Sequence, residues 1–185
     1  EALKYYKIAS ERGDRNAAEI CAQMLYKGNG IPVNKEEAVK YYKIAAERGE
    51  KFSAKYCADM LYNGDGIEVN KLESLKYYKI AAELCYESMY KYASMVDSGD
   101  GVPVNKGEAV KYYKKAMSAD SAAMNNYAVL LYKGEGIESN KEEASKYFKK
   151  AADGGNFVSM KNYEISGYVL KHMKKYLYFQ NICLE

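Results

Sequence analysis

The chain is poor in the residues on which much binding and catalytic chemistry depends. Its 185 residues include no tryptophan, two prolines and one histidine. That histidine, His172, lies in the C-terminal segment, with no serine or cysteine nucleophile in a recognisable motif, so we do not expect an enzyme. No zinc-type spacing of cysteine and histidine occurs, and we expect neither a metal nor a cofactor. No apolar run approaches the roughly 20 residues of a membrane-spanning helix, so we do not expect membrane insertion.

What the sequence contains instead is a repeat. A segment similar to Tyr-Tyr-Lys-Ile-Ala-Ala occurs five times, and the first tyrosines of the copies are Tyr5, Tyr41, Tyr77, Tyr112 and Tyr147. The steps between them are 36, 36, 35 and 35 residues. A Gly-x-Gly triplet recurs in step with them, at Gly28–Gly30, Gly64–Gly66, Gly99–Gly101 and Gly134–Gly136. A period in this range predicts a solenoid, in which each unit buries its apolar face against its neighbours.

One unit, residues 14–49, is predicted to form two helices joined by a glycine turn. Its first half, residues 14–27, carries apolar residues at the spacing of an amphipathic helix. Gly28 then ends that helix, because glycine tolerates the positive φ of helix ends and tight turns. Asn34 is expected to cap the second helix, which ends before the next glycine. Two helices in this length leave no room for strands, and the predicted fold is all-α.

We expect one domain, 1–185. It is expected to be a piece of a longer protein, because the first half-repeat is missing, so the absence of a signal-peptide pattern at its start says little about the compartment. The expected compartment is the cytoplasm. The predicted boundaries are 1–13 for a partial repeat, 14–49, 50–84, 85–119 and 120–155 for four repeats, and 156–185 for a degenerate repeat with a C-terminal capping helix.

The repeat pattern decays after residue 155. Phe157, Met160 and Tyr163 continue a first helix, but no Gly-x-Gly triplet follows. An apolar-rich stretch compatible with a helix comes next, at Tyr168, Val169, Leu170, Met173, Tyr176, Leu177 and Phe179. This stretch indicates a capping helix, because the terminal repeat of an array usually departs from the repeat pattern. The alternative is a helix that docks on another domain or on a second copy.

The spacing of the cysteines does not indicate a set of disulfide bonds. They are Cys21, Cys57, Cys85 and Cys183. The first two share one repeat position, which holds Tyr92 and Tyr127 in the next two repeats. A position shared with tyrosine indicates packing rather than ligation, so we predict structural thiols.

The repeat resembles the Sel1-like family, a branch of the tetratricopeptide-like helical-hairpin solenoids. The Gly-x-Gly-Ile/Val loop, the asparagine after it, the Lys-x-Glu-Ala segment and the Tyr-Tyr-Lys-x-Ala-Ala run carry the resemblance over residues 1–155. It implies a right-handed α-solenoid of stacked antiparallel helix pairs, with an inner groove lined mainly by the first helices. The family's leucine–glycine pair appears here as Cys21-Ala22 and its copies, which keep the apolar character. The resemblance also implies a scaffold role.

The glycine loops do not indicate a nucleotide or calcium site. A dinucleotide loop needs a third glycine between a strand and a helix, whereas these loops join two helices. Asp65-Gly66 and Asp100-Gly101 lack the alternating oxygen ligands and closing glutamate of an EF-hand.

Lysines recur along the second helices and could contact phosphates, but we do not expect a nucleic-acid partner. The net charge is only +3, and only three basic residues are arginine, which favours bidentate phosphate contacts. Glutamates four residues away are expected to neutralise several lysines within one helix. The pairs are Glu36 with Lys40, Glu47 with Lys43, and Glu142 with Lys146.

A partner is expected where the copies differ. Three rows of first-helix positions vary between repeats: Glu19, Lys55, Tyr90 and Asn125; Gln23, Asp59, Ser94 and Val129; and Tyr26, Tyr62, Asp97 and Tyr132. We call these the row residues. Tyrosine offers a large contact with a hydroxyl at low entropic cost. The alternative is that they are ordinary exposed positions.

The sequence therefore predicts a non-enzymatic scaffold or adaptor that binds a peptide or protein segment on the concave groove. The alternative is a structural or self-assembly module of a longer protein, docking through its apolar C-terminal tail. An enzyme activator or a carbohydrate-linked factor finds no support in any particular residue.

Overall fold

A computed structural model describes the backbone of residues 1–182 and the side chains of residues 1–169 and 171. The chain forms two compact units, Glu1–Pro103 and Val104–Glu185. All regular elements among the described residues are α-helices. The predicted domain and repeat boundaries stay a prediction, since compactness alone does not locate the ends of repeats.

Six helices form the first unit: α1 (Ala2–Glu11), α2 (Arg15–Lys27), α3 (Lys35–Glu47), α4 (Lys51–Asn63), α5 (Lys71–Ala81) and α6 (Tyr86–Ser98). The described part of the second unit contains α7 (Lys106–Ala116), α8 (Ser121–Lys133), α9 (Lys141–Asp153) and α10 (Phe157–Ile182). Within each unit, every helix packs on the next one along the chain. The prediction of an all-α fold built from stacked helix pairs is confirmed in both units.

The second helices begin at a recurring asparagine cap. The Asn34 side-chain oxygen accepts a hydrogen bond from the Glu37 backbone N–H at 2.9 Å, which satisfies one of the donors that a helix N-terminus leaves open. The predicted cap at Asn34 is confirmed. The same bond recurs at Asn70, Asn105 and Asn140.

The Gly-x-Gly loop ends each first helix and also brings neighbouring repeats close together. Gly28 caps α2 in the left-handed conformation, with φ of 73°. Gly66, the second glycine of the next triplet, has φ of 73° and faces α3, where an added Cβ would lie 2.7 Å from Lys35 Cβ. This position therefore needs glycine both for its backbone angle and for the close approach.

The core consists mainly of alanine and tyrosine. Ala38 and Ala45 are completely buried, and Tyr42 fills the space beside them. Cys21 and Cys57 are free, fully buried thiols, as their packing interpretation predicts. Burial raises the pKa of Cys21 to about 11 and that of Cys57 to about 12. The third described cysteine, Cys85, is free and half-buried, whereas Cys183 lies outside the described residues.

The last helix is longer than a first helix of the repeat. α10 has 26 residues, whereas α8 has 13. Residues 170–172 are Leu-Lys-His where the preceding repeats have Gly-x-Gly, so no glycine at positive φ ends the helix there. Met160 and Tyr163 lie on this helix and are exposed. The predicted roles of the apolar tail beyond Val169, and of His172, concern side chains outside the described residues.

Candidate partner-binding face

In the first unit, the row residues lie beside the buried stripe of each first helix. Cys21 and Leu25 of α2 point into the core and are almost inaccessible. The nine row residues of this unit are all half-buried: Glu19, Gln23 and Tyr26 on α2, Lys55, Asp59 and Tyr62 on α4, and Tyr90, Ser94 and Asp97 on α6. They are accessible enough to touch a partner, yet they also contact the scaffold.

Asp59 is the centre of a polar cluster. The Tyr78 hydroxyl donates to Asp59 Oδ1 at 2.5 Å. Burial, together with this hydrogen bond, raises the pKa of the Tyr78 phenol. Lys55 Nζ lies 3.4 Å from Asp59 Oδ2 and 3.3 Å from a carboxylate oxygen of Glu87 on α6. Asp59 therefore orients a buried tyrosine of the scaffold as well as facing outward.

The row residues of α2 form a smaller pair. Gln23 Nε2 donates to Glu19 Oε1 at 3.0 Å. Burial, and after it the nearby carboxylate of Glu50, raises the pKa of Glu19. Beside this pair, Tyr56 of α4 stacks on Tyr42, with ring centroids 5.5 Å apart. Tyr56 is 46% exposed and was not among the predicted site residues.

Tyr26 and Tyr62 use their hydroxyls to hold the next glycine loop. Tyr26 donates to Asp65 Oδ2 at 2.7 Å, and the ammonium group of Lys35 pairs with Asp65 Oδ1. Lys35 Nζ also lies 5.2 Å from the Tyr26 ring centroid. We call this Tyr–Asp–Lys arrangement a repeat clamp. The hydrogen bonds from Lys35 and Tyr26 lower the pKa of Asp65.

A second repeat clamp follows one repeat later. Tyr62 donates to Asp100 Oδ2 at 2.6 Å, and Lys71 Nζ lies 2.5 Å from Asp100 Oδ1. Sequence reasoning identified the tyrosines but missed the function of the aspartates. A usable signal was present, because each aspartate is the middle residue of a Gly-x-Gly triplet and each lysine directly follows the capping asparagine.

In the second unit, the row residues lie in a more apolar setting. Asn125 is buried, with 6% of its surface exposed, and its side-chain oxygen accepts from Ser159 Oγ at 2.8 Å and from Asn162 Nδ2 at 3.0 Å. Val129 and Tyr132 are half-buried and line an open cavity of about 150 Å³. The accessible row surface of this unit therefore consists of Val129 and Tyr132.

Lysines of the second helices form ion pairs between repeats. Lys43, expected to pair with Glu47 in its own helix, lies 2.6 Å from Glu73 of α5. Lys7 of α1 likewise lies 2.5 Å from Glu37 of α3. Stacking places the first turn of one second helix beside the middle of the preceding one, so these glutamates meet lysines of their neighbour. These pairs neutralise lysines of the second helices, but Lys43 does so with Glu73 of the next repeat rather than with the expected Glu47 of its own helix.

Within residues 1–169 and 171, no cluster of three histidine, cysteine, aspartate or glutamate side chains could hold a metal ion. Over the same described part, no helix combines the length and apolar character needed to cross a bilayer.

These features define an α-helical repeat protein in which helix pairs are joined by glycine loops and stacked through recurring caps and clamps. The Sel1 repeat model matches residues 1–14, 16–50, 53–84, 87–120 and 121–156. The chain belongs to the Sel1 repeat family. The resemblance inferred from the sequence motifs is thereby confirmed. No curated protein sequence matches the chain at a significant level.

Several solved structures are similar to this chain. A Sel1 repeat protein from Oxalobacter formigenes is 25% identical with a TM-score of 0.62, covering 86% of this chain and 66% of that one. The protein c5321, a protective antigen present in uropathogenic Escherichia coli strains displaying an SLR fold, is 27% identical with a TM-score of 0.73, covering 92% of this chain and 36% of that one. Helicobacter pylori cysteine rich protein B is 25% identical with a TM-score of 0.51, covering 68% and 92%. The chain thus spans about two thirds of the first protein and about one third of the second.

Proposed function

We propose that this chain is a non-enzymatic adaptor that binds a peptide or protein segment on the row residues of its first helices. Sel1 repeat proteins generally mediate protein–protein interaction and are typically non-catalytic. The proposal goes further by assigning the contact to one set of side chains.

One observation carries the proposal. The buried alanine at Ala22 and its copies, the asparagine caps and the glycine loops repeat with little change, whereas most half-exposed row positions change in charge and size from one repeat to the next. The second row, for example, contains Gln23, Asp59 and Ser94 in the first unit. A surface that varies on a constant scaffold is suited to selecting one partner.

Row residues differ in whether they also hydrogen-bond to the scaffold, and this determines which of them can be substituted to test binding alone. Asp59 and Tyr62 make scaffold hydrogen bonds to Tyr78 and Asp100, so replacing them would disturb the fold together with the surface. Gln23 hydrogen-bonds to Glu19, which is itself a row residue, and Ser94 lies on the same row of α6. These two positions allow the surface to be changed with less disturbance of the scaffold.

The experiment selects peptides from a displayed random dodecapeptide library on the immobilised chain. We expect enriched peptides to lose binding when Gln23→Arg is combined with Ser94→Arg, because two long side chains then fill the surface that the peptide would contact. Tyr5→Arg combined with Leu72→Arg is the control, since it adds the same charge at exposed second-helix positions. Binding retained by the row variant, or an absence of enriched peptides, would contradict the proposal.

The alternative of self-association through the C-terminal tail stays a prediction. Most of the side chains on which it depends lie outside the described residues.

A further inference from the structure

The second unit contains an apolar cavity lined by side chains of α8, α9 and α10. Its volume is about 150 Å³. It opens to solvent between α8 and α10, and the aromatic ring of Phe148 on α9 lies beneath it. The lining side chains that matter here are Val129 and Tyr132 of α8, Phe148 of α9, and Asn162, Ile165 and Ser166 of α10.

A change from a large to a small side chain at one repeat position accounts for the space. Ser166 occupies the position held by Met60, Met95 and Leu130 in the preceding first helices, and all of those are buried. A serine side chain is shorter and leaves part of that volume unfilled. Its hydroxyl lies 2.9 Å from the Tyr163 carbonyl oxygen, so its hydrogen-bonding capacity is used within the protein.

A second change keeps the cavity open. Asn162 stands where α4 has Tyr56 and α6 has Lys91. There the Tyr56 ring stacks on Tyr42 at 5.5 Å, and Lys91 Nζ lies 5.8 Å from the Tyr62 ring centroid. These longer side chains cover the corresponding surface of the first unit, whereas asparagine is too short to do so.

A third change makes the floor of the cavity apolar. Phe148 replaces Tyr78 and Tyr113, which place a hydroxyl at this level of their repeats. The Tyr78 hydroxyl donates to Asp59, and the Tyr113 oxygen accepts from Asn126 Nδ2 at 3.1 Å. Phe148 has no such group and is buried, with 3% of its surface exposed. Ile165, 53% exposed at the rim, replaces Asp59 at the row position.

We propose that this cavity receives one apolar side chain of an acidic peptide, of leucine or phenylalanine size. This inference rests on the proposed function and names the class of segment that the second unit takes. An enclosed apolar cavity of about 150 Å³ is large enough to hold benzene, so one such side chain fits the volume.

The positive charges around the cavity favour an acidic peptide over a basic one. α8 contains no acidic residue, and Lys133 lines the cavity. Lys161 is exposed one turn before Ile165, on the same side of α10. Glu135 lies 3.7 Å from Lys133 and 3.3 Å from Lys106, so one carboxylate serves two lysines. A peptide with aspartate or glutamate beside its apolar anchor therefore meets complementary charge.

The test uses the same dodecapeptide library with variants that fill or charge the cavity. Ser166→Met restores the side chain type of the other first helices, and Ile165→Asp places a charge at the exposed rim. Val158→Met is the matched control, because it adds methionine at an exposed position of α10 away from the cavity. Thermal unfolding of each variant reports whether the fold is kept.

We expect the unaltered chain to enrich peptides that carry a large apolar residue next to aspartate or glutamate. Ser166→Met and Ile165→Asp should each weaken their binding by about tenfold or more, since the anchor loses its burial site. Val158→Met should leave it within about twofold, as expected for a surface change. Undiminished binding by both cavity variants, or enriched peptides without this pattern, would overturn the inference.

The outcomes also separate this inference from the proposed function. Peptides that bind both cavity variants normally but fail on the combined Gln23→Arg and Ser94→Arg variant would overturn the cavity assignment and leave the adaptor function standing. An absence of enriched peptides on any form of the chain would remove both.

Discussion

At the scale of single residues, two carboxylates join distant parts of the first unit. Tyr26 and Asp65 are 39 residues apart, and Tyr62 and Asp100 are 38 apart, yet each pair is hydrogen-bonded. A lysine completes each repeat clamp and lowers the pKa of its aspartate. The clamps require ionised aspartates, so they connect the stability of this unit to pH.

Replacing Asp65 with asparagine should reduce the stability of the chain at neutral pH and flatten its loss of stability in acid. The folded pKa of Asp65 lies below its ordinary value of 3.8. Its contribution is therefore complete above pH 3.8 and is lost as the pH falls through the lower folded value. Urea unfolding midpoints of both forms, measured from neutral pH downward, should converge toward the acid end.

Glu68→Gln provides the control, because Glu68 is an exposed carboxylate of the same loop. Its replacement should leave the pH dependence unchanged. A constant difference between the unaltered chain and Asp65→Asn at every pH would contradict the account of the clamp.

At the scale of elements, the Gly-x-Gly loop combines two separate demands. Its first glycine ends the first helix, and its second glycine allows a lysine of the preceding repeat to approach. Gly66 faces Lys35 in this way, whereas Gly30 has the same backbone angle but no neighbouring heavy atom within 4 Å of a Cβ. A comparison of Gly30 with Gly66 therefore separates the energetic cost of the positive φ from the cost of the close contact with Lys35.

Gly66→Ala should destabilise the chain more than Gly30→Ala. Both variants force alanine to a positive φ, which costs about 1–2 kcal/mol. Gly66→Ala also overlaps Lys35, and overpacking of this kind costs about 1–3 kcal/mol more. Chemical unfolding of the two variants measures the difference directly, and equal destabilisation would show that the close approach to Lys35 has no energetic weight.

Most elements of the fold could be predicted from the sequence, because their signals are local. Helical spacing, the cap at Asn34 and the glycine at position 28 each act over a few residues. The length of α10 was harder to predict, since it follows from a missing stop signal at 170–172 rather than from a pattern that is present. The repeat clamps were missed because Tyr26 and Asp65 meet only when repeats stack.

At the scale of the whole molecule, constant and variable positions have different roles. The constant positions form caps, loops and core, and this division could be predicted from the repeat alone. The chemistry of the row positions could not, because it depends on neighbours from other helices. Asp59 looks like a surface residue in the sequence but holds Tyr78, and Asn125 is buried by α10. The cavity beside Val129 depends on what Ser166 leaves unfilled.

The most direct test of the central claim is lysine-acetylation footprinting of the chain with and without an enriched library peptide. Lys55 and Lys91 lie on the first helices, whereas Lys40 and Lys76 are exposed on second helices. If the partner binds on the row residues, mass spectrometry should show protection of Lys55 or Lys91 while Lys40 and Lys76 react as before. Protection of Lys40 and Lys76, with Lys55 and Lys91 unchanged, would place the partner on the second helices and contradict the account.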